Sequence, residues 1–208
     1  MSDQNVTQLT HNERTLQMYE GYAHNYALLI GPLPDPDRRQ WLERLSAEAG
    51  PGARILEVGS GTGCDADYLE SLGAGVRRTD ATRAFVDLQA RRGRHADLLN
   101  VITDDLITPG QPGYAAVLAM CVLIHVDRPL LPGVLARIRT ALCPHGLFLV
   151  SMREGEADQV SPACFTSQWR PGEFERLVID AAFDIEGTGR YVDCDGDVWR
   201  TLLCRRGP

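Results

Sequence analysis

The sequence predicts a three-layer α/β sandwich in a single domain, with a mostly parallel sheet and an antiparallel last strand. Three observations point there. Short apolar runs alternate with helical patterns from residue 53 onward. The run 53–58 is followed by Gly59-Ser60-Gly61-Thr62-Gly63 and then a helical pattern, the strand–loop–helix unit that opens a nucleotide-binding crossover. The chain ends in two apolar runs that read as a hairpin.

Each element has its own signal. Residues 1–10 are polar and read as loosely held. Leu16, Tyr19, Ala23, Tyr26 and Ile30 recur at three- and four-residue steps, one face of a helix. Residues 31–36 hold a glycine and three prolines and break it. A second helix over 37–49 gathers Trp41, Leu42, Leu45 and Ala49 on one side, and Pro51-Gly52 stops it. After the first strand and its glycine loop, Ala66, Tyr68, Leu69 and Leu72 give the next helix a buried side. A strand over 76–79 ends at Asp80, and a helix over 84–92 turns Phe85 and Leu88 inward. Further strands are expected at 98–103, 114–122 and 147–152, with a helix over 127–142. Residues 154–168 read as irregular, and a connection of that length inside a compact domain is usually functional. A helix opened by Pro171 precedes strands at 183–186 and 198–204.

Composition excludes several classes. The 208 residues carry a net charge of −7, which speaks against a bulk nucleic-acid binder. No apolar run approaches the ~20 residues of a membrane span, and the polar start lacks the plan of a signal peptide, so a cytoplasmic protein is expected. The six cysteines form no C-x-x-C pair and read as buried reduced thiols. The acidic turn 193–197 lacks a calcium loop's final glutamate, because Cys204 stands there. No metal is expected.

The glycine spacing decides between cofactors. A dinucleotide fingerprint needs its third glycine where Cys64 stands, and no Gly-Lys-Ser/Thr phosphate loop exists. Glu57 and Asp65 flank the loop, a tolerable setting for a cation. Glu57-Val58-Gly59-Ser60-Gly61-Thr62-Gly63 resembles the first motif of class I S-adenosylmethionine-dependent methyltransferases of the small-molecule type, and Tyr19-Glu20-Gly21-Tyr22-Ala23-His24-Asn25-Tyr26 resembles the Y-D-x-x-A-x-x-Y segment that precedes their core. The resemblance implies a Rossmann-like, seven-stranded sheet. It implies one domain over 1–208, with a helical lid at 11–50 and a core at 53–206. It also implies S-adenosyl-L-methionine as cofactor and S-adenosyl-L-homocysteine as product. Glu57, Gly59, Ser60, Gly61, Gly63, Met120 and Cys121 would meet the cofactor, and Tyr19 and Tyr26 would cover its methionine end. Asp80, 17 residues past Gly63 at a strand's carboxyl end, suits the two ribose hydroxyls, with Ala81 beside it. Asp105 or Asp104 would accept the adenine amino group, with the backbone of Leu106 at the ring. Two departures stand out. Ala115 replaces a common support aspartate. Met120-Cys121-Val122-Leu123 replaces N/D-P-P-Y/F, which argues against enzymes acting on nucleobases or glutamine.

The expected reaction is methyl transfer to an oxygen or nitrogen of a small molecule in specialised metabolism. His125 suits either a catalytic base or a support for its loop. Tyr22, Arg153, Phe165 and Trp169 are the candidates for substrate contact, each with a purely structural alternative. The expected partner is a small molecule, with no nucleic acid and no membrane, and the chain a monomer or homodimer. A nicotinamide reductase, a non-catalytic cofactor-binding partner and a protein or RNA methyltransferase are the rivals.

Overall fold

The structure is a computed structural model that describes residues 10–207. The polar stretch 1–9 and Pro208 lie outside the described residues. Helix α1 (His11–Leu29) starts in a capping box, where the Thr10 hydroxyl accepts from the Glu13 N–H and the Glu13 carboxylate accepts from the Thr10 N–H. Asp35 caps α2 (Pro36–Ala49), whose proline occupies the first turn. The core then runs β1 (Arg54–Val58), α3 (Cys64–Ser71), β2 (Gly75–Asp80), α4 (Arg83–Arg91), β3 (Ala96–Leu98) and β4 (Tyr114–Ala119). Two single 3₁₀ turns, Leu123–His125 and Arg128–Leu130, lead into α5 (Leu131–Ala141) and β5 (Leu142–Glu154). Three two-residue strands follow, β6 (Gln159–Val160), β7 (Phe165–Thr166) and β8 (Gln168–Trp169). The chain closes with α6 (Glu173–Asp180), β9 (Phe183–Val192) and β10 (Val198–Arg206).

Seven strands form the main sheet in the order β3-β2-β1-β4-β5-β10-β9, and β8 adds a short pairing to β5. β10 is antiparallel to both β5 and β9, and the other pairings along this order are parallel. Strict alternation divides the core. Leu56, Val58, Val117, Phe148 and Val150 face the side covered by α5 and α6, while Ile55, Leu118, Leu147 and Leu149 face α2 and α3. The order reverses between β1 and β4, so the crevice at the carboxyl ends of these strands is the expected ligand position.

Four differences from the expected elements have local causes. The third strand ends at Leu98, because Ile102 N–H donates to the Asn100 side chain and Asp104 N–H to the Asn100 carbonyl, curling the chain into a turn. The helix expected over 127–142 begins only at Leu131, where Pro132 takes its first turn. β5 starts five residues early through an irregularity in its pairing with β4, and His145 adopts a left-handed φ of 62° there. β9 extends to Val192 because Gly187 and Gly189 leave room for Arg44 and Trp41 of α2, which a side chain would strike at 2.4 and 2.6 Å. All six cysteines are free, but only Cys204 is buried, four are half-buried and Cys194 is exposed. Their flanking runs are apolar, yet most sit at element ends.

Candidate active site

The glycine loop is braced from four directions. Ser60 N–H donates to the Thr79 carbonyl at 2.8 Å, and Gly61 N–H donates to the Asp80 carboxylate at 2.8 Å. The fully buried Gln89 amide donates to the Ser60 hydroxyl at 2.7 Å and the Gly61 carbonyl at 3.0 Å. Arg92 donates to the Thr62 carbonyl at 2.8 Å. Gly59 and Gly61 hold left-handed φ values of 66° and 52°, which glycine adopts without strain. They serve different ends. A Cβ on Gly59 would lie 2.3 Å from Val122, whereas one on Gly61 meets nothing within 4 Å and would project into open space.

That space is a cleft of about 1060 Å³, its open mouth included. Of the residues singled out from sequence, Glu57, Gly59, Ser60, Gly61, Asp80, Ala81, Met120, Cys121, Tyr19, Tyr26 and His125 line it. Gly63 does not. It is the N-cap of α3, packed against Gln89 and Arg78.

One end of the cleft concentrates buried charge. Glu57 is 3% exposed, and its Oε2 has no hydrogen-bond partner. Asp65 pairs with Arg38 at 3.2 Å through one oxygen, while its Oδ1 is unpartnered. Burial raises both carboxyls above their ordinary range, for Asp65 despite Arg38, and Asp65 raises Glu57 further. Arg38 also donates to the Cys121 sulfur at 3.1 Å, and Cys121 holds a left-handed φ of 57° with its N–H on the Ser151 hydroxyl. Orphaned buried oxygens of this kind call for a donor. An ammonium can satisfy Glu57 and Asp65 while a carboxylate meets Arg38, and that amino-acid end is the end S-adenosylmethionine carries. Asp80 uses one lone pair on each oxygen for Gly61 and Thr82 N–H groups, and its remaining lone pairs suit a diol. The residues present therefore fit that cofactor.

The N-terminal helix roofs the cleft. Tyr19, Tyr26 and Phe85 form an aromatic cluster with ring centroids 5.6–6.0 Å apart. His125 is held at both nitrogens. Nδ1 lies 2.8 Å from the Phe165 carbonyl, which can only accept, so Nδ1 carries the hydrogen. Nε2 is then the acceptor for the Tyr19 hydroxyl at 3.2 Å. Burial lowers the His125 pKa and raises that of Tyr19, so both are neutral near pH 7. The roof is fastened by polar contacts. Glu20 accepts from the Arg83 and Ala84 N–H groups at 2.6 and 3.0 Å, capping α4, where Thr82 makes no side-chain cap. Asn12 meets Asn100 at 2.9 Å, and His11 meets Asp127 at 2.5 Å.

Several expected contacts are corrected. Asp104 and Asp105 do not line the cleft. The early turn after β3 spends Asp104 on the Asn100 N–H and Asp105 on the Ile107 N–H, and buries Leu106 in the core. Residues 99–102 line the cleft in their place. Tyr22 is 37% exposed, does not line the cleft and meets Tyr26 edge-on. Arg153 pairs with Asp197 and covers Trp199, fixing the terminal hairpin. Phe165 stacks on His11 at 4.6 Å and reaches the site through its backbone, the carbonyl on His125 and the N–H on Thr15. Trp169 is buried under Arg128 against Phe174. Sequence reading missed Arg38, Phe85 and Asn100. In the sequence Asp65 shows only as an acidic flank of the loop. Nothing local distinguishes Arg38 from the other arginines, since its role arises from the packing of α2 over the loop.

Comparisons with known proteins agree with this geometry. Residues 24–181 match the model of a methyltransferase domain family. The ubiquinone biosynthesis O-methyltransferase of Burkholderia pseudomallei is 26% identical over 227 residues, covering 92% of this chain and 96% of that protein. The structure of 1,6-didemethyltoxoflavin-N1-methyltransferase from Burkholderia thailandensis, bound to its substrate and S-adenosylhomocysteine, superposes with a TM-score of 0.76 at 19% identity, covering 100% and 98% of the two chains. The CcbJ methyltransferase of Streptomyces caelestis superposes with a TM-score of 0.73 at 17% identity, covering 94% and 99%. With the family model spanning most of the sequence and the cleft fitting the cofactor, the chain belongs to the methyltransferase domain family and is an S-adenosylmethionine-dependent methyltransferase.

Proposed function

We propose that the enzyme methylates an oxygen or nitrogen of a small molecule in a biosynthetic reaction, with Tyr19 and His125 handling the acceptor's proton. The observation that carries this is the Tyr19–His125–Phe165 chain inside the cleft. Glu57, Asp65 and Arg38 would hold the cofactor's amino-acid end, Asp80 its ribose, and residues 99–102 its base. When bound, S-adenosylmethionine supplies an electrophilic methyl on a sulfonium. Tyr19 and Tyr26 present aromatic surface suited to a cation. The acceptor's proton passes to the Tyr19 oxygen while the Tyr19 proton moves to His125 Nε2, and the Phe165 carbonyl steadies the imidazolium through Nδ1–H. The raised Tyr19 pKa requires these movements to be concerted, because a free phenolate would be costly there. The activities of the relatives, one at oxygen and one at nitrogen, support either acceptor.

The test uses methyl-labelled cofactor with a panel of small phenols and amines. Label in the small-molecule fraction is expected, and label confined to protein or RNA would overturn the proposal. With an accepted substrate, His125→Ala should lower the rate by ~10²–10⁴-fold, the usual worth of general-base help, and leave S-adenosylhomocysteine affinity nearly unchanged. His125→Asn retaining most activity would reduce the histidine to a loop support.

A further inference from the structure

His11, Thr15 and Tyr19 stand at four-residue steps along α1 and so share one face of the helix. That face grips two residues from other parts of the chain. The His11 ring stacks on the Phe165 ring, the Thr15 hydroxyl accepts from the Phe165 N–H at 3.3 Å, and the Tyr19 hydroxyl donates to His125 Nε2. The Phe165 carbonyl in turn accepts from His125 Nδ1 at 2.8 Å. The helix therefore holds the imidazole twice, at Nε2 through Tyr19 and at Nδ1 through Phe165. Thr15 is 2% exposed, one of two buried residues on α1. A threonine inside a helix can turn its hydroxyl back onto a carbonyl one turn earlier, as Thr140 does with Ala136 at 2.8 Å. The Thr15 hydroxyl instead reaches across to the strap that carries Phe165, accepting from its N–H and donating towards the Cys164 sulfur at 3.9 Å.

We propose that Thr15 is a positioning residue for His125, anchoring the Phe165 backbone so that its carbonyl faces Nδ1 and Nε2 is left as the acceptor that Tyr19 needs. The inference rests on the proton path proposed above and names the residue that fixes which ring nitrogen carries the hydrogen. The two partners of the imidazole are not equivalent. The Tyr19 hydroxyl can donate or accept, so it follows whichever tautomer is present. The carbonyl can only accept, so it sets the tautomer. That carbonyl also has a competitor. The Cys164 sulfur lies 3.5 Å from it and 3.7 Å from Nδ1, so a shift of the Phe165 backbone trades the imidazole N–H for a weak thiol donor. Thr15 opposes that shift because the Phe165 N–H is buried and its acceptor is the Thr15 oxygen.

The test is nitrogen NMR of isotope-labelled protein saturated with S-adenosylhomocysteine, which reads the tautomer and pKa of each imidazole. His125 is assigned among the five histidines by the signals lost in His125→Asn. The native protein should show it as the Nδ1–H tautomer. Thr15→Val keeps the side chain's bulk but strands the Phe165 N–H. It should mix the two tautomers and lower the His125 pKa further, because the Phe165 hydrogen bond opposes the effect of burial there. The other titratable and charged groups facing the imidazole, Tyr19 on α1, Cys164 on the strap and Arg153 on β5, are the same in native protein and variant. Thr15→Ser retains the oxygen and should restore the native spectrum. Thr15→Ala, which adds no buried methyl in place of the hydroxyl, is the second loss variant. Tyr19→Phe loosens the helix without touching Phe165 and should keep the Nδ1–H form. A native His125 protonated at Nε2, or a native tautomer and pKa in both loss variants, would overturn the inference. So would a Tyr19→Phe protein whose tautomers mix as fully as in Thr15→Val, since Thr15 would then only fasten the helix. None of these readouts uses turnover. An unchanged methylation rate in His125→Ala would instead strike the proton path itself.

Discussion

Replacing Asp80 by asparagine separates two jobs that the carboxylate performs at once. One oxygen accepts from the Gly61 N–H and the other from the Thr82 N–H, both at 2.8 Å, at a site 6% exposed. An amide offers one oxygen and one NH₂, so whichever way it turns, one backbone N–H loses its acceptor. A hydrogen bond to a charged group contributes about 1.5–3 kcal/mol, and an unmet buried donor costs about as much. Burial raises the Asp80 pKa, so a neutral amide also relieves a desolvation penalty, and the net effect falls near the lower bound. At ~2–4 °C per kcal/mol for a chain of this size, Asp80→Asn should lower Tm by roughly 3–6 °C. Asp80→Ala, which strands both N–H groups, should lower it further. If the same carboxylate also receives the ribose hydroxyls, S-adenosylhomocysteine affinity should fall about 10-fold or more, each factor of ten being ~1.4 kcal/mol. Scanning calorimetry reads the first effect and isothermal titration the second. A lowered Tm with native affinity would refute the ribose role and leave Asp80 as a brace of the loop. Native values of both would refute the whole account of the residue.

Three further outcomes follow from the same site. Burial raises Glu57 and Asp65 above the usual carboxylate pKa of ~4, and a bound ammonium favours their ionised forms, so S-adenosylhomocysteine binding should release protons and tighten as pH rises from that range towards neutrality. Without ligand the sign reverses, since the folded state takes up those protons before the unfolded state does. Tm should therefore rise as pH falls towards ~4, and binding heats that do not depend on buffer ionisation would contradict the linkage. Burial lowers His125, so the acid limb of the rate profile should lie below the ordinary histidine value of ~6.5, and a limb above that value would exclude His125 as its source. Glu20→Gln weakens the cap that ties α1 to α4, so hydrogen exchange across residues 15–30 should quicken without ligand and slow again with S-adenosylhomocysteine. Identical exchange in variant and native protein would show that the tie does not hold the helix.

The legible part of the site was the part built from contiguous chain. Glu57, the loop glycines and Asp80 follow one another along a strand, its turn and the next strand end, and each position's demands can be read from its neighbours. Asp104 and Asp105 fall outside the cleft because their place depended on where β3 stops. Asn100 bonds its own turn, an option that competes with continuing the ladder, and that one side chain carried Asp104 and Asp105 out of the cleft. Phe165 and Trp169 failed for another reason, since an aromatic residue in an irregular segment looks the same whether it faces ligand or core. Their segment still serves the site, through a carbonyl that fixes the His125 tautomer and that no side-chain pattern reveals.

The way α1 is attached bears on how the enzyme turns over. The sheet and its flanking helices are joined through continuous apolar cores, but α1 buries only Thr15 and Ala23 and reaches the rest of the chain mainly through side-chain hydrogen bonds and partly exposed aromatic edges. Each such bond contributes about 1 kcal/mol net, so lifting the helix costs a few kcal/mol, far less than unfolding the core. Tyr19 sits on that same helix, and the proposed proton path needs its 3.2 Å contact with His125. On the proposed proton path, opening would admit cofactor and acceptor and closing would assemble the base, confining methyl transfer to the state in which water is excluded.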